Sequence, residues 1–213
     1  MKRYLLLLFI FLYLPLHAQN FRINAGGAVS YFNNIYNRNV SFYGYSVNYS
    51  YYFYKKTGFY INFDHYFPAT YYALSYAYDD PQVPVYITGG ANALDLGLRF
   101  KIADPDSKKV ELNTTLAISS FGHSGSYHIE ESIVYDIRNS VKSLYAGMEF
   151  ILKKVYIPFA ISAGYNLAIN QKIPYKNWDG SSVPFSSSIV IRAGISLPIM
   201  KGPVPANIKS IEY

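Results

Sequence analysis

Between Val155 and Ile169 the sequence alternates without a break. Val155, Ile157, Phe159, Ile161, Ala163, Tyr165, Leu167 and Ile169 fall on one side, and Tyr156, Pro158, Ala160, Ser162, Gly164, Asn166 and Ala168 on the other. Successive side chains of a β-strand point to opposite faces, so this segment has one greasy face and one small, mostly polar face. The same period of two recurs in seven further segments, residues 21–31, 43–53, 59–64, 94–102, 110–119, 144–152 and 188–197. No charged residue falls on the apolar face of any of them. Apolar spacing at 3.6 residues is missing over any useful length, and nothing after the first twenty residues approaches an apolar run of 18. The chain is predicted to be all-β, with eight strands.

The direction of the two faces follows from their composition. A strand surface turned to water normally carries many Lys and Glu. Here the polar face is mainly Gly, Ser, Ala, Asn and Thr with a few charges, and only 15% of the whole chain is charged. A lipocalin-like barrel or a periplasmic sandwich would need that face to be solvated. Small residues instead suit the narrow interior of an eight-stranded barrel, which side chains alone can fill. An uncharged outer wall is what hydrocarbon demands, because a Lys or Arg at the bilayer midplane costs about 2–4 kcal/mol. Closure also pairs every backbone amide where no water can do so. Tyr43, Tyr45, Tyr51, Phe53, Phe59 and Tyr165 lie toward strand ends on the apolar face, the expected place for interfacial aromatic girdles.

The connections alternate in length. Short turns are expected at Lys55–Gly58, Ala103–Lys109 and Lys153-Lys154, each with a lysine pair. Long connections are expected over Asn33–Asn39, Pro68–Gly90, Gly122–Lys142 and Asn170–Ser187. This places both termini on the short-turn side of an eight-stranded antiparallel up-and-down transmembrane β-barrel. Short periplasmic turns and long external loops mark outer-membrane barrels. In strand number, wall and loop asymmetry the chain resembles the small eight-stranded outer-membrane barrels typified by OmpX and the membrane domain of OmpA. One departure is a last strand that stops near Pro198, with Pro203 and Pro205 leading a tail to Tyr213.

Ahead of the barrel, Lys2 and Arg3 precede an apolar run from Tyr4 to Leu16, and Ala18 is a small exit residue before Gln19. That is the pattern of a secretory signal peptide, and the run is too short for a membrane anchor of about 20 apolar residues. The expected organisation is a signal peptide at 1–19, a barrel at 20–200 and a short tail at 201–213, located in the bacterial outer membrane. The formal charge of +6 falls by two when Lys2 and Arg3 leave. The remaining excess is spread along the chain, unlike the clustered footprint of a nucleic-acid binder. High aromatic content excludes disorder. The absence of cysteine excludes disulfides and thiol- or thiolate-based sites.

Eight charges are expected to point into the lumen, namely Arg22, Asp64, Asp95, Arg99, Lys101, Glu111, Glu149 and Arg192. Buried charges must be paired, so a salt-bridged plug is expected, with a narrow gated channel as the rival reading. No cofactor or metal is expected. His123, Ser124, Ser126, His128, Glu130 and Glu131 fall in an expected loop. Membrane-barrel hydrolases acting on lipid A resemble this architecture and place a His two residues before the nucleophilic Ser. Here Gly125 follows His123 at that spacing, and Glu130 follows His128. The chain is therefore read as not an enzyme, with lipid A modification as the alternative. His65 is expected beside a strand end at the interface.

Tyr71, Tyr72, Tyr76, Tyr78 and Tyr86, with Trp178 in another loop, are the candidate recognition residues. Tyrosine offers contact area at low entropy cost together with a hydroxyl. The expected role is a monomeric structural or interaction protein, in contact with outer-membrane lipid or lipopolysaccharide. Its partner would be an envelope protein or a surface glycan.

Overall fold

A computed structural model describes residues 21–35, 38–53, 56–73, 85–102, 109–129, 132–153, 155–172 and 187–200. Eight strands run in chain order: β1 (Phe21–Ile35), β2 (Arg38–Tyr52), β3 (Thr57–Ala73), β4 (Val85–Lys101), β5 (Val110–Ile129), β6 (Ser132–Leu152), β7 (Phe159–Lys172) and β8 (Ser188–Met200). Each pairs antiparallel with its neighbour, and β1 pairs with β8 to close the barrel. The alternation dictates this outcome: with one face apolar on every strand, closure is the arrangement that leaves no unpaired edge in lipid.

The barrel is inside-out relative to a soluble protein. Leu94, Leu96, Leu98, Leu116, Ile118, Leu144, Phe150, Ile161, Leu167, Ile191 and Ile195 are all exposed on its outer surface, whereas Asp64, Asp95, Glu111 and Arg99 are buried inside. Such a continuous apolar surface is a membrane contact. On β5 the outer residues from Val110 to Ile118 rise roughly 26 Å along the strand. At a tilt of roughly 40° that is roughly 20 Å of depth, close to the ~25 Å band of such barrels.

The seam between β1 and β8 is tight. Gly26 pairs with Gly194, and a Cβ on either would overlap the partner strand's backbone at Ala193 or Ala25. Inside the wall, the Tyr145 ring covers the places where side chains of Gly147 and Gly164 would stand. An aromatic laid over facing glycines restores the contact area they lack.

Four expected boundaries are corrected. The expected loop Gly122–Lys142 is mostly strand, because β5 continues to Ile129 and β6 begins at Ser132. Above the apolar belt the outer face turns polar at Ser120, Ser124, Arg138, Ser140 and Lys142 while Phe121 and Val141 point inward, so the apolar-out, polar-in alternation that marks the strands below disappears while the ladder continues. The β1–β2 connection is equally short, with β1 ending at Ile35 and β2 starting at Arg38. At the other end, β7 starts at Phe159 rather than Val155. Residues 155–157 bend and expose Val155, Tyr156 and Ile157. The last strand likewise runs past Pro198, which pairs with Arg22, to Met200. Pro68 sits where the β3–β4 register shifts between Tyr66 and Ala69, a place where a missing amide hydrogen is tolerated.

Candidate functional site: the lumen and the loop end

Inward parity carries the charges into the lumen, and the register sets their heights. At the turn end Arg22 on β1 reaches across the barrel to Glu111 on β5, with Nη1 to Oε1 at 2.8 Å. Lys153, just beyond β6, binds the other oxygen of Glu111 at 2.7 Å. One layer higher, Arg99 meets Glu149 at 2.9 Å and donates to Ser50 and Thr115. Its guanidinium lies 4.3 Å from the centre of the Tyr60 ring. Asn113 ties the two layers by donating to both Glu111 and Glu149, and Asn24 donates to Glu149 from β1.

Above these lies a third layer. Arg192 on β8 spans the lumen to β3 and β4, with Nη2 at 2.6 Å from both Asp64 Oδ2 and Asp95 Oδ2. Its Nε contacts both oxygens of Asp64 at 3.1 Å, and Nη1 donates to the Tyr145 hydroxyl at 3.1 Å. Asn62 donates to Asp64 and Asp95 and accepts from Ser46. Seven of the eight expected lumen charges therefore join ion pairs. Lys101 is buried at 7% exposure without one among the described residues, and its ammonium sits 4.0 Å from the Tyr52 ring centre.

The polar plug expected in the lumen is joined by an apolar one. Toward the loop end the lumen is filled by Ala28, Phe32, Val40, Phe42, Tyr66, Ala91, Ala93, Phe121 and Val141, all buried. Phe32 and Phe121, from opposite walls, have ring centres 4.8 Å apart, and Phe42 lies within 5.8 Å of Phe32 and 5.7 Å of Phe121. Tyr66 joins this plug to the layer below by donating to Asp64. The inward phase of β5, extended past Ser119, names Phe121 and His123; ending that strand at Ser119 hid them. Among the described residues the lumen retains a small cavity between Asn24, Asn48, Glu149, Ser162 and Arg192, with room for about one water molecule.

The loop-end candidates divide by face. His123 points inward against Phe42. Ser124 points outward, and His128 meets Thr88 Oγ1 at 3.2 Å on the outer side. His123 and His128 therefore stand on opposite faces of β5, and Glu130 and Glu131 lie outside the described residues. Among the described residues no group of His, Asp and Glu is arranged to hold a metal. His65 lies within β3 rather than at its end, facing outward between Tyr45 and Phe67 with Nδ1 2.8 Å from Asn92 Oδ1.

Of the recognition tyrosines, Tyr71 and Tyr72 extend β3 and Tyr86 is the second residue of β4; Tyr72 and Tyr86 are direct cross-strand partners. Tyr76, Tyr78 and Trp178 lie outside the described residues. Unforeseen in the sequence is a polar outer face where β5 and β6 continue above the belt. Ser120 pairs with Lys142 and Ser124 with Arg138, and these four, with Ser140, are exposed.

No family model and no curated protein matches the sequence. Among solved structures, the chain is similar to Ail, the attachment invasion locus protein of Yersinia pestis. The two are 16% identical with a TM-score of 0.50, covering 84% of this chain and 99% of that one. It is also similar to Neisserial surface protein A, at 10% identity and a TM-score of 0.52, covering 84% of this chain and 96% of that one. At these identities the likeness is one of fold: the chain is a small eight-stranded barrel of the outer-membrane type.

Proposed function

We propose that the chain is exported by a signal peptide at 1–19, lodges in the bacterial outer membrane as a monomer, and acts through its loop end as a structural and recognition protein. The observation that carries this reading is the closed lumen. Among the described residues, ion pairs cross the barrel and the Phe32–Phe42–Phe121 cluster fills its loop end, which argues against a conduit. Function then falls to the surface that meets the outside. There the β5–β6 extension offers hydroxyls of Ser120, Ser124 and Ser140 beside the cations Lys142 and Arg138, next in the sheet to the Tyr72–Tyr86 pair. Hydroxyls beside cations suit an acidic surface glycan, with lipopolysaccharide as the surrounding lipid. The opposed facing of His123 and His128 speaks against a hydrolytic site.

The test is retention of the folded barrel on immobilised acidic and neutral polysaccharides. A variant carrying Arg138→Ser and Lys142→Ser, and another carrying Tyr72→Ser and Tyr86→Ser, should each lose retention on the acidic panel. Both should keep the heat-dependent gel shift of a folded barrel. Undiminished retention in both variants, or none by the parent, would sink this reading. Mass spectrometry of the species extracted gently from native envelopes then tells a lone barrel from one holding a stoichiometric protein partner.

A further inference from the structure

The charges of the lumen are not balanced layer by layer. In the upper layer one cation, Arg192, faces two carboxylates, Asp64 and Asp95. At the turn end the order reverses. Arg22, Lys101 and Lys153 gather around a single carboxylate, Glu111, which already binds Arg22 and Lys153 directly. Lys101 lies within electrostatic reach of all three, yet makes no ion pair with Glu111 or Glu149. It is more than nine-tenths buried, with the Tyr52 ring against its ammonium. Burying an ammonium without a directly bonded counter-charge is costly. The hydroxyl of Tyr52 is itself buried and has no hydrogen-bond partner among the described residues.

We propose that the turn-end mouth of the barrel is an anion site, built by Lys101, Arg22, Lys153 and the Tyr52 hydroxyl, for a phosphate dianion or phosphate monoester. Among the described residues the excess of two positive charges over Glu111 matches a doubly charged phosphate. Arg22 and Lys153 remain partly exposed, at 14% and 23%, so the cluster opens to the aqueous compartment on the turn side. Exposed Lys56 and Lys109 on the rim add a steering field. The site is a dead end, because the carboxylate-rich Arg192 layer repels an anion and the aromatic plug stops it. This inference is independent of recognition at the loop end.

The experiment uses the mature barrel in phosphatidylcholine nanodiscs and equilibrium dialysis against labelled inorganic phosphate, with ionic strength held by chloride. The parent should bind one phosphate per barrel. Lys101→Met, which keeps the apolar stem and removes the buried charge, should bind at least about tenfold more weakly, a loss of about 1.4 kcal/mol. Tyr52→Phe keeps the ring beneath Lys101 and should weaken binding by a smaller factor, so a failure of the first variant to fold leaves the test intact. The source is resolved by a second arm. If phosphate is not taken up in phosphatidylcholine, but phosphatidylglycerol is retained from mixed discs by the parent and lost with Lys101→Met, the same site takes a lipid headgroup. No uptake in either arm, or folded variants that bind as the parent does, overturns the proposal.

Discussion

Arg192→Met removes one cation from between two buried carboxylates and leaves a side chain of comparable length. Asp64 and Asp95 are both fully buried, and Arg192 makes four of its five side-chain contacts to them, two at 2.6 Å. At an effective dielectric of ~20 and a charge separation of ~4 Å, each pair is worth about 4 kcal/mol in Coulomb terms. Much of that gross attraction offsets the cost of taking the charges out of water. Removing one partner keeps that cost and loses the attraction, and measured losses for broken buried pairs run to about 3–5 kcal/mol. The expected destabilisation is therefore about 3–5 kcal/mol, read from urea unfolding of the barrel in lipid vesicles by far-ultraviolet circular dichroism. Adding Asp64→Asn and Asp95→Asn to the variant should recover most of the loss, because no uncompensated charge remains. An Arg192→Met barrel within about 1 kcal/mol of the parent, or a triple variant no more stable than the single, would refute the reasoning.

Two further outcomes follow from the wall. Gly26→Val places a branched side chain where the β8 backbone already stands, so the closing seam should fail. The protein should then show no heat-dependent mobility shift in SDS gels, whereas Gly122→Ala, where an added Cβ meets only ordinary van der Waals contact, should keep it. Leu116→Arg in the belt should cost about 2–4 kcal/mol, while Ser124→Arg, eight register pairs higher on the same outer face, should cost less than about 1 kcal/mol; equal penalties would place the membrane boundary elsewhere.

Period two made the faces legible but left the heights open. Arg22 and Glu111 could both be assigned to the lumen from parity alone. That they meet across the barrel depends on register, which pairs Arg22 with Ser50 and Glu111 with Ile151 and so brings both to the turn end. Lys153 was invisible as a partner of Glu111 because it lies beyond the last strand residue, where parity no longer applies. The plug escaped notice for a related reason. Phe32, Phe42 and Phe121 occupy the inward phase, the one dominated elsewhere by small and polar residues, and Phe32 and Phe121 lie just past the alternation that was read as strand. The alternation ends at Ser119 because Ser120, Ser124, Ser140 and Lys142 replace an apolar outer face with a polar one, so the contrast between faces vanishes at the height where lipid ends.

The same change of outer chemistry explains how the work of the barrel is divided. Within the belt every outer residue is committed to lipid, and any change there is judged by burial in hydrocarbon. The lumen is committed to filling itself, with ion pairs below and rings above. Only beyond the belt do β5 and β6 carry an outer face that neither lipid nor lumen constrains, and its hydroxyls and cations are held on paired strands rather than on free loops. A recognition surface on a rigid ladder loses little entropy on binding. At the opposite end Arg22, Lys101 and Lys153 gather around Glu111 where the lumen first meets water, so both proposed sites stand where the barrel leaves the bilayer.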